Sequence, residues 1–248
     1  MNPPELIAHR GYTLHYPENT LSAVRGAIAA GARYVEVDVQ LSRDEVPVLF
    51  HDHTLKRLCG VDGAVHERTL DELRQLHPSD FDRFGYKFAA EPFPTLAELV
   101  ELIARHPSVI FFIEIKRIAL SQFGVTKAVA RILHELKPVR RQCVPISYSL
   151  TALRAVCAQG WPIVGAVIDR WRDRQRPGLR ELAPRYLFCD ADGLPRFGKL
   201  KFEGAQLGVF EVQSAATVRR LAARGIELVE TFHLGELKHE LEHTAATP

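Results

Sequence analysis

No apolar run in this sequence approaches the ~20 residues needed to span a bilayer. The amino terminus enters Pro3-Pro4-Glu5-Leu6-Ile7 without the basic and apolar stretch of an export signal. A cytoplasmic chain without stable membrane insertion is the expectation. Surplus charge is lacking as well: 32 Lys and Arg stand against 30 Asp and Glu, a formal net charge of +2. No global field therefore recommends a nucleic acid or a membrane surface as partner, and any charge selectivity has to be local. Cysteine is scarce, and Cys59, Cys143, Cys157 and Cys189 show no paired spacing, which excludes a zinc knuckle or a disulfide framework and fits a reducing compartment. Low-complexity tracts and repeats with recurring identities are missing too.

What is present is alternation. Short apolar, β-branched runs at Leu6–Arg10, Tyr34–Gln40, Val109–Lys116, Cys143–Tyr148, Ile163–Ile168, Tyr186–Cys189, Gln206–Val212 and Ile226–Val229 read as strands. Helical periodicity fills Asn19–Ala30, Leu96–Arg105, Gly124–Leu136, Leu150–Ala158, Leu179–Ala183, Ala215–Ala223 and a last stretch after Gly235. At 248 residues and 46% hydrophobic content, the chain predicts an α/β fold, a TIM-type (β/α)8 barrel forming a single domain over residues 1–248. The gap between Gln40 and Val109 is far longer than one helix needs, so a small insertion follows the second strand, at about residues 52–93. It opens with Val46-Pro47-Val48-Leu49-Phe50-His51, the return arm of a hairpin. With Asp44-Glu45 as a two-residue turn, Asp38 would face His51 directly. The insertion ends at Pro94-Thr95, where Thr95 can cap the next helix, as Asn19 can cap the helix after strand one.

Reacting groups in barrels sit at the carboxyl ends of strands. Strand one ends in His9-Arg10-Gly11, strand two carries Glu36-Val37-Asp38, the hairpin return ends in His51-Asp52, and strand three carries Glu114-Ile115-Lys116. Alternation turns Glu36 and Asp38 to one face, and Glu114 and Lys116 likewise. Three carboxylates converging in a low-dielectric mouth need a compensating cation, and all-oxygen ligands point to one Mg²⁺ or Ca²⁺. A guanidinium fork at Arg10 beside the Lys116 ammonium makes a seat for a phosphate group. His9 and His51 then supply an acid–base pair, one ring taking a proton from the nucleophile and the other giving one to the leaving oxygen. Taken singly, each signal has a plainer reading, since a lone strand-end histidine is more often a hydrogen-bonded structural residue. Their coincidence in the first half of one barrel favours a site. Asp52 reads as an orienting partner for His51 or a loop cap, and Arg170-Trp171-Arg172-Asp173-Arg174-Gln175-Arg176 as a stretch that either attracts an anionic head group or, more ordinarily, forms a solvated basic face.

His9-Arg10-Gly11, Pro17-Glu18-Asn19-Thr20, Glu36-Val37-Asp38, Pro47-Val48-Leu49-Phe50-His51-Asp52, Pro94-Thr95-Leu96 and Ile113-Glu114-Ile115-Lys116 stand in an order that resembles the glycerophosphodiester phosphodiesterase family of the phospholipase-C-like barrels. The resemblance implies a small-molecule glycerophosphodiester as substrate, hydrolysed to sn-glycerol 3-phosphate and an alcohol. It implies Glu36, Asp38 and Glu114 as metal ligands, His9 and His51 as the catalytic pair, Arg10 and Lys116 on the phosphate, and a substrate-pocket role for Glu18. The nucleophile can be water or the neighbouring glycerol hydroxyl. The chain departs from the family pattern at the Asp44-Glu45 turn, at Val209-Phe210-Glu211-Val212, and at Glu230-Thr231-Phe232-His233. Phe210 and Glu211 thereby become candidate pocket residues that bear on substrate choice. Two rival readings stand beside hydrolysis of small diesters: a lysophospholipase D acting on lipid-tailed diesters, and a catalytically silent barrel scaffold.

Overall fold

The computed structural model describes residues 3–243. Among these residues, eight parallel strands close into a barrel: β1 (Glu5–Ala8), β2 (Tyr34–Leu41), β4 (Ile110–Ile115), β5 (Cys143–Ser147), β6 (Gly165–Ile168), β7 (Tyr186–Asp190), β8 (Gln206–Phe210) and β9 (Leu228–Thr231). Closure comes from β1, which pairs with β2 on one side and β9 on the other. The short β3 (Pro47–Leu49) lies antiparallel on β2, outside the ring. This is the TIM-type fold that the alternation predicts.

Period-two alternation decides what each strand presents to each side. Val35, Val37, Val39 and Leu41 of β2, with Phe111, Ile113 and Ile115 of β4, pack outward into the apolar layer beneath the helices. The opposite faces of the lower barrel carry Ile7, Phe112, Val144, Val167, Phe188 and Leu228, which form the apolar plug of the lumen. Gly208 of β8 belongs to that packing, since a Cβ there would stand 2.4 Å from the Phe188 ring. Above the plug the two halves diverge. On β1, β2, β4 and β9 the next inward positions are His9, Glu36, Glu114 and Glu230, whereas Ile146, Tyr148 and Phe210 keep the β5–β8 side apolar.

The helices begin where short polar side chains accept from free backbone N–H groups. Thr95 and Glu98 form a reciprocal capping box on the helix Leu96–Ala104, as expected of Thr95. The helix Leu21–Ala29 is capped by Thr20, not by Asn19, because Asn19 stands at φ 56° and spends its amide elsewhere. A helix at Arg117–Phe123, directly after Lys116, lacks an apolar stripe distinct enough to be read from the sequence. The last strand starts and ends two residues later than its apolar pattern suggests, which brings Glu230 into the sheet.

The hairpin also corrects the expected register. Val39 pairs with Leu49, Gln40 with Val48 and Leu41 with Pro47, so the turn spans Arg43, Asp44 and Glu45. Ser42 and Val46 close it through N–H to C=O at 3.0 Å. Without a glycine for a two-residue turn, the chain takes a third residue and places Glu45 at φ 65°, the left-handed position of a three-residue loop. Lys127 and Arg131 hold the Glu45 carboxylate at 2.8 and 2.9 Å. In this register Asp38 faces Phe50, whose N–H donates to the Asp38 carbonyl at 3.0 Å. His51 reaches the mouth all the same, because the pleat ends at Leu49 and the chain turns.

Beyond His51 lie helical turns at Lys56–Cys59, Leu70–Leu73 and Phe81–Phe84, with 3-10 turns at Val65–Glu67 and Gly85–Phe88. They close over a separate apolar cluster that includes Phe50, Leu55, Leu58, Leu73 and Phe93, in which the Phe50 and Phe93 rings stack at 5.5 Å. Truncating Phe93 empties the middle of that cluster. Phe93→Ala should cost about 3–5 kcal/mol of unfolding free energy by urea titration, and a cost under about 1 kcal/mol would show that the cluster is not what holds the insertion shut.

Candidate active site

The carboxyl ends of β1, β2, β4 and β9 bring His9, Glu36, Asp38, Glu114, Lys116 and Glu230 to one side of the barrel mouth. A cavity of about 270 Å³ opens there, lined by His9, Arg10, His51, Glu114, Lys116, Phe210, Glu211 and Glu230 together with the apolar β5–β7 wall. Glu36 and Asp38 lie deeper, each 1% exposed. Glu18 is not among the residues lining the cavity; it is buried behind Arg10.

Asp38 is the most heavily held group. Arg10 Nε stands 3.2 Å from its Oδ2 and Lys116 Nζ 3.0 Å from its Oδ1. Asn19 clasps it from below, donating its side-chain amide to Oδ2 at 2.8 Å and accepting the Asp38 N–H at 2.9 Å. Burial alone would push the Asp38 carboxyl up, yet Lys116 and Arg10 together hold it well below the usual carboxylate range. Lys116 also reaches Glu114 at 2.9 Å, and against the pull of burial these two carboxylates keep its ammonium above the ordinary lysine range.

Glu36 is placed otherwise. Its Oε2 accepts the Arg10 backbone N–H at 3.1 Å, while its buried Oε1 has no hydrogen-bond partner. Burial, then the neighbouring charges of Asp38 and Glu230, push its carboxyl well above the ordinary value. Glu230 is driven up in the same way, by burial first and then by Glu114 and Asp38. An orphaned, buried carboxylate oxygen beside two more carboxylates is a position short of positive charge. One oxygen from each of Glu36, Asp38 and Glu114 lies within 4.8 Å of the others, a spacing that a divalent ion would fit.

His9 stacks on Phe232, rings 4.9 Å apart and 3° from parallel. Three carboxylates ring it, with Glu36 at 3.7 Å, Glu230 at 3.6 Å and Glu211 at 3.6 Å. Burial and the charge of Arg10 nevertheless lower its pKa well below the ordinary histidine value, which keeps the ring neutral and able to accept a proton. His51 faces the cavity from the hairpin return, with Nδ1 on Asp52 Oδ1 at 2.9 Å, so the Asp52 side chain orients the ring. In the loop after β6, Trp171 is buried, Arg174 donates to its carbonyl, Arg176 pairs with Asp173, and Arg170 and Arg172 face water.

Four contributors escape a reading of the strand ends. Asn19 is hidden by its resemblance to a helix cap. Gln40 lies one pleat beyond Asp38, and its amide nitrogen reaches the carbonyls of Phe50, His51 and Asp52 at 3.0, 3.2 and 2.7 Å. Its signal was available as a polar residue on the inward face of an otherwise apolar strand. Glu230 lies past the apolar run that marks β9. Arg57 sits in the insertion, where no periodicity aims a side chain at the mouth.

Residues 9–159 match the family described as the Glycerophosphoryl diester phosphodiesterase family. Glycerophosphodiester phosphodiesterase 1 of Mus musculus is 42% identical over 106 residues, 43% of this chain and 32% of that protein. The Bos taurus protein of the same name is 31% identical over 191 residues, covering 77% of this chain and 53% of its own length. The chain thus spans about a third to a half of these relatives. A solved phosphodiesterase of Oleispira antarctica, in complex with the product sn-glycerol-3-phosphate, is similar with a TM-score of 0.80 at 25% identity, over 97% of each chain.

The clasp at Asp38 can be tested without reference to any activity. Asn19→Ala strands the buried Asp38 N–H and removes a donor from its carboxylate, and should cost about 1–3 kcal/mol in urea denaturation. An unchanged midpoint and slope would mean that Arg10 and Lys116 hold Asp38 unaided.

Proposed function

Because the chain belongs to the glycerophosphodiester phosphodiesterase family, we propose that it hydrolyses glycerophosphodiesters to sn-glycerol 3-phosphate and an alcohol. One observation carries the reading: His9, His51, Arg10, Lys116 and Glu114 line a single cavity of about 270 Å³, and Glu36 and Asp38 lie deeper, each with an oxygen within 4.8 Å of one on Glu114. The product held by the Oleispira antarctica relative supports the choice of diester. The family match over residues 9–159 contains all seven of these residues.

In this reading Glu36, Asp38 and Glu114 hold one divalent cation, Mg²⁺ or Ca²⁺, which when bound polarises a nonbridging phosphate oxygen. Arg10 and Lys116 seat the phosphate, and their charge opposes the negative charge that grows on its oxygens. Arg10 is prepared for this by Glu18, which accepts its Nη1 at 3.0 Å and keeps the fork from folding away. His9, neutral and clamped flat against Phe232, is set to take a proton, and His51 presents Nε2 because Asp52 occupies Nδ1. Phe210 and Glu211 form the wall against which the alcohol lies, and Ile146, Tyr148 and Val167 limit water on the far side.

The first test is release of glycerol 3-phosphate from glycerophosphocholine by chelator-stripped protein resupplied with Mg²⁺ or Ca²⁺. Metal-restored release is expected, with His51→Ala lowering kcat by about 10²–10⁴-fold. Silence on small diesters with activity on lysophosphatidylcholine would move the reading to a lipid-tailed substrate, and silence on both would leave a binding barrel.

Metal binding has a separate readout in the melting temperature. A carboxyl whose folded pKa is raised contributes stability that is present below the unfolded value and is lost as pH rises through the folded one. As pH rises above the ordinary carboxylate range, metal-free wild type therefore takes on the penalty of a buried, ionising Glu36. Glu36→Gln should melt at or above wild type in chelator, while only wild type gains on adding the cation. An equal gain in both proteins would remove Glu36 from the ligand set.

A further inference from the structure

We propose that Arg57, supplied by the insertion, is a positioning residue for His51: it fixes the Asp52 carboxylate that sets the tautomer of the ring and, through Glu18, locks that ring to the Arg10 side of the cavity. The inference rests on reading His51 as an acid–base group, and it adds a residue outside every strand-end motif.

The geometry is that of two forks on one guanidinium. Arg57 Nε donates to Asp52 Oδ2 at 2.7 Å and Nη2 to Asp52 Oδ1 at 2.9 Å. Arg57 Nη1 donates to Glu18 Oε2 at 2.9 Å and Nη2 to Glu18 Oε1 at 2.8 Å. Both oxygens of both carboxylates are thereby occupied, and each carboxylate plane is fixed by the planar cation between them. Asp52 Oδ1 then meets His51 Nδ1 at 2.9 Å, and Glu18 Oε1 meets Arg10 Nη1 at 3.0 Å. Arg10 in turn stands 3.2 Å from Asp38. One contiguous chain of charge-assisted contacts runs from His51 to Asp38, and Arg57 is its middle link.

Electrostatics agree with that placement. Hydrogen bonds to Asp52 and Glu18 raise Arg57 above the ordinary arginine range despite its partial burial. Burial would push Asp52 up, but the hydrogen bonds from His51 and Arg57 prevail and hold it well below its usual value. Asp52 therefore stays an acceptor facing His51 Nδ1, which keeps the proton there and leaves Nε2 for the substrate. If Arg57 is removed, Asp52 keeps a single partner and is free to turn, and the ring can swing or change tautomer. Lysine at 57 would supply charge but only one point of contact, so it cannot hold two carboxylate planes.

The test uses the whole chain with Arg57→Ala and Arg57→Lys, read in two ways. Turnover of glycerophosphocholine should fall by about 10²-fold in kcat with a smaller change in KM, the scale of a misplaced reacting group. Arg57→Lys should stay near Arg57→Ala, and added guanidinium ion should restore part of the alanine variant's rate. Independently of activity, the ring ¹⁵N resonances of His51 in chelator should pass from an Nδ1-protonated pattern in wild type to mixed tautomers in both variants. Wild-type kcat in Arg57→Ala, full recovery in Arg57→Lys, or lost turnover with an unchanged His51 ¹⁵N pattern would each overturn the proposal. Wild type inactive on every diester would sink the proposed function instead, and the ¹⁵N comparison would still decide the role of Arg57.

Discussion

Asp38 sits at 1% exposure with Arg10 on one oxygen and Lys116 on the other, and the remainder of the mouth is arranged around that pairing. A carboxylate so deep must be compensated or protonated, and loss of either cation would leave a buried charge that costs about 3–5 kcal/mol. Each cation is in turn shared. Arg10 turns its other edge to Glu18, and Lys116 spans to Glu114. The charges form a lattice in which Lys116 serves two negative groups and Arg10 three, counting Glu211 at 3.8 Å, and negative groups remain in excess at Glu36 and Glu230, whose carboxyls are pushed toward protonation. This imbalance makes the deep end of the cavity a place for a cation and its outer end, at Arg10 and Lys116, a place for an anion.

Most of the barrel was legible because each strand carries its own instruction. In β2 and β4, apolar residues at alternate positions face the helices, and the charged residues between them have only the lumen left. Metal-ligand and phosphate candidates could therefore be read from Glu36, Asp38, Glu114 and Lys116 without any knowledge of pairing. The hairpin register could not, since one residue more in the turn is a matter of backbone conformation at Glu45, and glutamate is not a residue whose identity announces a left-handed φ. Asn19 was misread for a related reason: the same short amide that caps helices can clasp a carboxylate, and the local pattern does not tell the two apart. Glu230 was out of reach because closure of the barrel brings it to the mouth, and Arg57 because its second partner, Glu18, lies 39 residues away with no spacing to announce the contact.

The two halves of the mouth differ in kind. The β1, β2, β4 and β9 side offers charge, and the β5 to β8 side offers Ile146, Tyr148, Val167 and Phe210. A phosphodiester is itself divided between a hydrated anion and an organic alcohol, so the division of the wall mirrors that of the ligand. Two of the three departures from the family pattern fall on the seam between the halves, at Glu211 and Glu230, the third lies in the β2–β3 turn, and all leave the charged residues of β2 and β4 untouched.

Gln40 gives the hairpin return an unusual attachment. Its single amide nitrogen serves three successive carbonyls, Phe50, His51 and Asp52, so one of its two hydrogens is shared between two acceptors. Three consecutive peptide units of the return arm are thereby fastened to one side chain of β2. Together with the grip of Arg57 on Asp52 a few residues later, and with Phe93 stacked on Phe50 from the far end of the insertion, that attachment holds the short stretch carrying His51 from three directions, by side chains that lie distant from it in sequence or in the insertion itself. The imidazole is thereby set by its neighbours' side chains more than by the backbone conformation of its own loop.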